Sequence, residues 1–191
     1  MEETELINRL KNKDENAFRL AVDKYQTPIL NCCFRFVKNR ETAEDLTQDV
    51  FIVLNRSIND FRSDSKLSTW LIRIAISKSL DYLKSMKRVK RFGYLVSIFS
   101  PEDGKDYKIL SNLHNPQDII EKDERIKLLS WAIDSLPENQ KVAFTLSKYD
   151  EMNYKEIAEI LNTTVSSVES LIFRAKSNLR KKLYKYYKKH I

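Results

Sequence analysis

The sequence has few of the residues that make tight turns: two glycines and four prolines in 191 residues. Leucine, isoleucine, lysine and glutamate dominate the stretches between them, a composition typical of helices. The shortage of turn residues therefore predicts an all-α fold that is helical almost throughout.

Cysteine and histidine are also scarce, with two of each. Cys32 and Cys33 are adjacent, a geometry poorly suited to a disulfide between them, and neither has a partner at metal-ligand spacing. They are predicted to be small core residues. His114 and His190 belong to a predicted linker and to the C-terminal tail. The sequence therefore predicts no metal, no cofactor and no enzymatic activity.

Long hydrophobic runs are missing from the sequence. No stretch approaches the ~18 apolar residues of a membrane-spanning helix. The first residues, Met-Glu-Glu-Thr-Glu, are acidic where a signal peptide would be basic. We expect a cytoplasmic protein without membrane insertion.

The net charge of +7 is concentrated in two blocks. Residues 82–100 contain five basic and no acidic side chains, and the chain after Ser170 contains eight basic and none acidic. The segment between them, 101–169, is acidic. Clustered lysine and arginine supply most of the non-specific affinity for nucleic acids, so two contacts with a polyanion are predicted, although solvated helix ends are the alternative.

Hydrophobic spacing divides the chain into two helical domains, 1–91 and 122–191, joined by a linker at 92–121. In the first domain, residues 15–37 hold two helical patterns that meet near Pro28, and further helices are predicted at 39–59 and from about 68 to 88. These four helices form one core. The apolar stretch 94–99 of the linker is expected to dock on another surface.

A helix-turn-helix is predicted near the C-terminus. Residues 153–161 form a short helix that Asn162 ends in the left-handed conformation, and Thr163 or Thr164 caps the next helix. The apolar stripe of this second helix is spaced 3, 4, 3 and 4 and comprises Val165, Val168, Ile172, Ala175 and Leu179. Ser166, Ser167, Ser170 and Arg174 point away from it. The N-terminal half of such a helix reads bases in the major groove, although a plain helical hairpin would show the same serines.

Motifs in both halves resemble those of sigma-70-type transcription initiation factors, specifically the small two-domain extracytoplasmic-function (ECF) group. The resemblance covers about 17–91 and 123–183. In the C-terminal part it rests on Leu136-Pro-Glu138, on YKEIAEIL at 154–161 and on Phe173-Arg-Ala175. In the N-terminal part it rests on AEDLTQDVF at 43–51, FRSDS at 61–65, TWLIRIA at 69–75 and DYL at 81–83.

The resemblance implies that the helix matching 43–51 binds core RNA polymerase. The residues concerned are Glu44, Asp45, Gln48, Asp49 and Phe51. Without the resemblance, a solvated acidic face would be the natural interpretation of these side chains. Family members are also often held inactive by an anti-sigma factor, which is therefore an expected partner.

The resemblance further implies that loop 60–66 and the next helix recognise the minus-10 promoter element and hold an extruded base. The residues concerned are Phe61, Arg62, Ser63, Asp64, Ser65, Lys66, Arg73, Ser77, Lys78, Asp81 and Lys84. A polar loop beside a helix carrying cations suits a single strand. Trp70 lies on the apolar stripe and is predicted to be core. Family members commonly have Asn at Ser77 and Arg at Lys84, so detailed contacts should differ.

The helix-turn-helix would read the minus-35 element as duplex. The residues concerned are Thr164, Ser166, Ser167, Glu169, Ser170, Arg174 and Lys176. Glu169 and Leu171 replace residues that are often basic in the family, so fewer phosphate contacts are expected from this helix. The predicted function is a sigma factor that brings core polymerase to promoter DNA. A stand-alone helix-turn-helix regulator that does not bind polymerase is the alternative.

Overall fold

A computed structural model describes the backbone of residues 2–62, 64–99 and 120–190, and the side chains of 2–62, 64–88 and 126–188. Within these ranges the chain forms eight α-helices, one 3-10 turn and no strand, which confirms the all-α prediction. The elements are α1 (Glu3–Lys11), α2 (Glu15–Val37), α3 (Arg40–Ser57), the 3-10 turn (Ile58–Asp60), α4 (Leu67–Phe99), α5 (Ile120–Asp134), α6 (Glu138–Tyr149), α7 (Tyr154–Leu161) and α8 (Val165–His190).

Residues other than glycine make several of the reversals between these helices. Lys13, Lys38, Glu151 and Asn162 all have positive φ, between 49° and 59°. Each lies at or just beyond the end of a helix or in the short segment before the next one. A chain with two glycines thus still turns sharply, because a single residue in the left-handed region costs only about 1–2 kcal/mol.

The prediction that residues 15–37 form two helices was wrong. They form the single helix α2, and Pro28 lies in its interior with its ring exposed. Buried residues continue on both sides of the proline, from Ala17 to Phe36, so that packing outweighs the lost backbone hydrogen bond. The N-terminal unit still has four α-helices, because a helix that was not predicted, α1, precedes α2.

Helix α4 is longer than predicted. The helical period fails at Phe92, yet the backbone remains helical to Phe99. Apolar residues recur at helical spacing where only one side of a helix is buried. A helix that is apolar around its whole circumference shows no such spacing. The rest of the predicted linker, 100–119, lies outside the described residues, as do the side chains of the apolar stretch 94–99.

The helix-turn-helix is confirmed in detail. Asn153 caps α7 and forms a capping box with Glu156, and Asn162 ends α7 at φ 49°. The Thr164 hydroxyl oxygen accepts the Ser167 N–H at 3.2 Å, so Thr164 and not Thr163 caps α8. Four predicted stripe residues are buried: Val168, Ile172, Ala175 and Leu179. Val165, the first residue of α8, is the exception, with 41% of its surface exposed.

The N-terminal unit, α1–α4, and the C-terminal unit, α5–α8, pack against each other. Val142, Leu146 and Ile157 of the C-terminal unit are fully buried in the apolar cluster that also forms the core of the N-terminal unit. A smaller cluster joins α5 to the middle of α8. The two units are therefore held together mainly by buried apolar surface, the strongest general driving force for such contacts.

Candidate nucleic-acid and polymerase interfaces

The start of α8 presents the predicted duplex-reading side chains to the surface. Ser166, Ser170 and Arg174 are exposed, and Ser167 is half-buried by its hydrogen bonds with Thr164. The Arg174 Nε–H donates to the carbonyl oxygen of Ser170 at 3.2 Å, which holds the guanidinium beside the serine. An exposed row of hydroxyls ending in an arginine is able to contact both base edges and phosphates.

Two of the predicted minus-35 residues lie away from this row. At 100° per residue, Glu169 is about 100° around the helix from Ser170, and Lys176 flanks the buried stripe on the far side from Arg174. Both are exposed. Of the residues predicted to read the minus-35 element, Ser166, Ser170 and Arg174 therefore form one exposed row in the structure.

Sequence reasoning missed Phe173. Its side chain is 74% exposed, the most exposed of the large hydrophobic residues described, and it lines a shallow surface concavity with Glu169, Ser170 and Arg174. The sequence did indicate that Phe173 is exposed, since it falls outside the apolar stripe that starts at Val165. An apolar side chain at this place is able to contact the methyl group of thymine.

The predicted minus-10 loop is anchored by two aromatic rings. Phe61 is only 3% exposed and packs on the half-buried Trp70, with ring centroids 5.4 Å apart. Phe61 therefore supports the loop from beneath and is not available to touch a base, which corrects its place among the contact residues. Trp70 packs against the core as predicted. Arg62 and Asp64 are exposed, Ser65 is half-buried, and Ser63 lies outside the described residues.

Helix α1, which was not predicted, fixes both ends of this loop. The Lys11 ammonium donates to the Phe61 carbonyl oxygen at 3.2 Å. The Glu3 carboxylate accepts the Leu67 N–H at 2.8 Å, so that it caps α4 and places a negative charge at its positive end. The loop is thus held from outside by residues 50 and 64 positions away in the sequence.

Glu3→Ala is expected to lower the free energy of unfolding by about 1 kcal/mol, because α4 loses its N-terminal cap. Binding of a single-stranded oligonucleotide should weaken with it, since the loop is no longer fixed at Leu67. Urea denaturation and fluorescence anisotropy measure the two effects. Glu5→Ala, an exposed position on α1, is the matched control. Equal effects of the two variants would contradict the role given to Glu3.

Helix α4 carries the predicted strand-tracking residues on one exposed face. Arg73, Ser77 and Lys84 lie within about 40° of one another, and Asp81 lies at the edge of the same face. Lys78 does not belong to it. Its ammonium donates to Asp49 of α3 at 2.9 Å, which corrects the grouping and links α4 to the predicted polymerase-binding helix.

The exposed face of α3 differs from the predicted one at Phe51 and Glu44. Asp45 and Gln48 are exposed, and half of the Asp49 side chain is accessible. Phe51 is buried and meets the Phe18 ring edge-on at 6.4 Å, so it is a core residue and not a contact. Ile52, 46% exposed and one turn beyond Gln48, supplies the apolar surface of this face instead.

Glu44 lies at the edge of this group. It is about 40° around α3 from Gln48 and about 100° from Asp45, and it accepts a hydrogen bond from Arg40 on its own helix at 2.8 Å. Both side chains are exposed. Glu44 is thus engaged in an intrahelical pair beside the continuous surface of Asp45, Gln48, Asp49 and Ile52.

Carboxylates of the C-terminal unit pair with two of the predicted minus-10 cations. The Lys66 ammonium lies 2.8 Å from Glu156 of α7, and that of Lys84 lies 3.2 Å from Glu138 of α6. The hydrogen bond between Lys66 and Glu156 raises the pKa of the lysine and lowers the pKa of the glutamate. While the two units are packed together, the two lysines that were predicted to contact phosphates are therefore paired with carboxylates.

A third contact between the units is more deeply buried. Arg35 of α2 pairs with Asp150 and lies 5.8 Å from the centre of the Tyr149 ring. Burial raises the pKa of Asp150 against the opposing effect of Arg35. Burial likewise raises the pKa of Cys32 and of Cys33, and both thiols are free core residues as predicted.

Comparison with known proteins identifies the family to which the chain belongs. Residues 21–89 match the family model for sigma-70 region 2, and residues 127–179 match that for sigma-70 region 4. The chain is 32% identical over 185 residues to the RNA polymerase sigma-H factor of Pseudomonas aeruginosa, covering 95% of this chain and 94% of the relative. The chain belongs to the sigma-70 family.

Other relatives place this sigma factor in the ECF group. It is 32% identical over 178 residues to the ECF RNA polymerase sigma-E factor of Escherichia coli, covering 93% of this chain and 92% of the relative. The same identity and coverage are found with the sigma-E factor of Salmonella typhi. The region 2 match contains α3 and the loop with its following helix, and the region 4 match contains the helix-turn-helix.

Solved structures share the fold of this sigma factor. CnrH, in complex with the cytosolic domain of CnrY, superimposes with a TM-score of 0.66 at 18% identity, covering 96% of this chain and 97% of CnrH. The sigma factor RpoE of Bartonella quintana, in complex with the anti-sigma factor NepR, gives 0.55 at 18% identity, covering 87% and 96%. None of the described helices of this sigma factor is long and apolar enough to cross a membrane.

Proposed function

We propose that this sigma factor binds core RNA polymerase through α3 and directs it to promoters through α4 and α8. The observation that carries the proposal is that one chain presents three separate exposed surfaces within the matched regions: Asp45 to Ile52 on α3, Arg73 to Lys84 on α4, and Ser166 to Arg174 on α8. It acts by binding and without covalent chemistry. Because polymerase and promoter DNA are its partners, its place of action is the bacterial cytoplasm.

The minus-35 element is read as duplex by the first two turns of α8. The serine hydroxyls of this segment donate to or accept from base edges, and Arg174 reaches a guanine or a phosphate. Glu169 and Lys176 lie at the sides of the row, where Lys176 meets a phosphate of the flanking backbone and Glu169 accepts a hydrogen bond from a cytosine amino group. Thr164 contributes by capping the helix and placing its N-terminus, which favours a phosphate.

The minus-10 element is opened by capture of unstacked bases. Loop 61–66 supplies the pocket rim through Arg62, Asp64 and Ser65, and the α4 face tracks the displaced strand with Arg73 and Lys84. Unstacking a base costs a few kcal/mol, a sum that strand binding offsets. Lys66 and Lys84 take part once they are released from Glu156 and Glu138.

The polymerase contact is a small acidic surface with one apolar side chain at its C-terminal end. Asp45, Gln48 and Asp49 lie on the two turns before Ile52, an arrangement suited to a basic partner surface with an adjoining apolar pocket. The stand-alone regulator considered from the sequence would have no use for this surface. The relatives that match along more than nine tenths of the chain are sigma factors, which favours the polymerase-binding function.

The division of labour is tested by Arg174→Ala. We expect the variant to bind a cognate minus-35 duplex about 10- to 100-fold more weakly, as for loss of one bidentate contact. Its capture of core polymerase in a pull-down should be unchanged. Run-off transcription with core polymerase on random promoter fragments supplies the cognate sequences. Equal failure of the variant in polymerase capture would refute the assignment of separate surfaces.

We also propose the partners and the domain boundaries. The domains are 1–91 and 122–191, close to the matched segments 21–89 and 127–179. An anti-sigma factor is a further partner, supported by the structure above in which the sigma factor RpoE is bound to the anti-sigma factor NepR. A partner that covers the α3 surface would block polymerase binding.

A further inference from the structure

The C-terminal part of α8 is largely exposed. Leu179 is the last buried residue among the described side chains of the helix, and the C-terminal arm, residues 180–188, follows it, with Lys182 and Leu183 half-buried. The arm contains five basic residues and no acid, and most of its side chains are exposed. Tyr184, 66% exposed, stands among the lysines. Nothing in the minus-35 contact described above requires this arm.

The cations of the arm continue the face of α8 that reads DNA. At 100° per residue, Ser170 and Arg174 lie within about 20° of Lys181 around the helix axis. Lys185 and Lys188 lie within about 40° of Lys181 on the same side, and all three lysines are exposed. A straight stripe therefore runs from the hydroxyls of the reading segment into a row of ammonium groups.

The length of the arm suits the phosphates beside a major groove. With 1.5 Å per residue, Lys181 lies about 10 Å and Lys188 about 21 Å beyond Arg174 along the helix. The major groove is about 12 Å wide, so a helix lying in it at Arg174 carries the three lysines across the adjoining phosphate backbone. The tyrosine hydroxyl of Tyr184 lies near the same face and is able to donate to a phosphate oxygen.

The charges of the arm repel one another in the free protein. Lys181 and Lys185 are an i, i+4 pair of like charge, which destabilises a helix by a few tenths of a kcal/mol, and no glutamate or aspartate in the arm relieves it. By contrast, Lys182 on the other side lies 4.2 Å from the centre of the Trp131 ring and serves the packing of α8 on α5. The helix dipole accounts for cations in the last turn alone.

We propose that the C-terminal arm is a second contact with duplex DNA, made by Lys181, Lys185 and Lys188 with phosphates next to the minus-35 site. The proposal rests on the proposed function, because the helix-turn-helix must first place α8 in a major groove. The contact adds affinity without sequence preference. It compensates for the acidic Glu169 and the apolar Leu171 near the reading row.

The test is the salt dependence of duplex binding by the full chain without polymerase. The probe is a 30-bp duplex of arbitrary sequence, and a single strand of the same length is the comparison. The triple variant Lys181→Gln, Lys185→Gln, Lys188→Gln should reduce the slope of log affinity against log salt by about two to three, at ~0.9 per phosphate. At ~0.1 M salt its duplex affinity should fall about 10- to 100-fold.

A charge-matched control removes three exposed cations elsewhere: Arg19→Gln, Lys24→Gln, Lys148→Gln. The proposal is supported if the control keeps the wild-type slope while the arm variant loses two to three units of it. An unchanged slope in the arm variant, an equal loss in the control, or a loss confined to the single strand would each overturn it. Since no polymerase is present, these results are independent of the pull-down that tests the proposed function.

Discussion

Asp45→Lys is expected to lower the affinity for core RNA polymerase about 100-fold, without loss of folding. Asp45 is exposed in the middle of α3 and flanks Ile52 on the surface assigned to the polymerase. Reversal of an interfacial charge replaces an attraction by a repulsion. Coupling energies of ~1.5–7 kcal/mol are known for close charge pairs, and a 100-fold change corresponds to about 2.7 kcal/mol.

The matched control for Asp45→Lys is Asp23→Lys, the same charge change at an exposed position of α2. Surface plasmon resonance with immobilised core enzyme measures both, and circular dichroism checks that each remains helical. Ile52→Ala should weaken binding independently, since it removes the exposed apolar side chain of the surface. If Asp23→Lys weakened binding as much as Asp45→Lys, general electrostatic attraction and not this surface would explain the loss.

The sequence predicts best where one-sided burial and capping coincide. Asn162 and Thr164 mark the joint of the helix-turn-helix because their backbone preferences are local, and the structure has both as predicted. Val168 and Ile172 are buried as their spacing indicates. The continuity of α2 through Pro28 could not be predicted, because it depends on tertiary packing that outweighs a local preference against proline.

The sequence predicts which helices and loops form the interfaces, but not all of the residues that do so. Phe51 lies among the helically spaced apolar residues of 43–58 in the sequence, whereas only the structure places the ring of Phe61 inside the core. Ile52 and Phe173 are the exposed apolar residues in their place. The contacts of Glu3 with Leu67 and of Lys66 with Glu156 join residues 64 and 90 positions apart, a distance over which local patterns carry no information.

Joining the two units covalently is expected to abolish transcription. Lys66 and Glu156 meet across them at 2.8 Å, so cysteines at both positions lie within reach of a short cleavable bis-maleimide. The native Cys32 and Cys33 are fully buried, and burial raises their pKa, which keeps them out of the reaction. Reductive cleavage of the spacer should restore the transcript, measured as run-off product with core polymerase.

The physical reason is that carboxylates of the C-terminal unit and DNA phosphates compete for Lys66 and Lys84. In the packed arrangement Lys66 and Lys84 face Glu156 and Glu138, so a DNA strand gains these contacts only after the units separate. Exposed ion pairs of this kind contribute about 0–1 kcal/mol each, so the buried apolar contacts between the units supply most of the free energy that strand and polymerase binding must offset to open the wild-type protein. A covalent cross-link prevents the two units from separating. Any residual transcript then measures the fraction of the protein that escaped cross-linking.

Two comparisons separate this effect from damage by the substitutions. The double variant Lys66→Cys, Glu156→Cys without cross-linker loses one ion pair, the capping box of α7 and one cation of the minus-10 surface, so its reduced but measurable transcript is the reference level for the cross-linked and cleaved protein. The cross-linked protein should still bind duplex DNA, because Ser166, Ser170 and Arg174 stay exposed in the packed arrangement. Transcription by the cross-linked protein at the level of the cleaved one would mean that promoter opening proceeds with Lys66 and Glu156 held together.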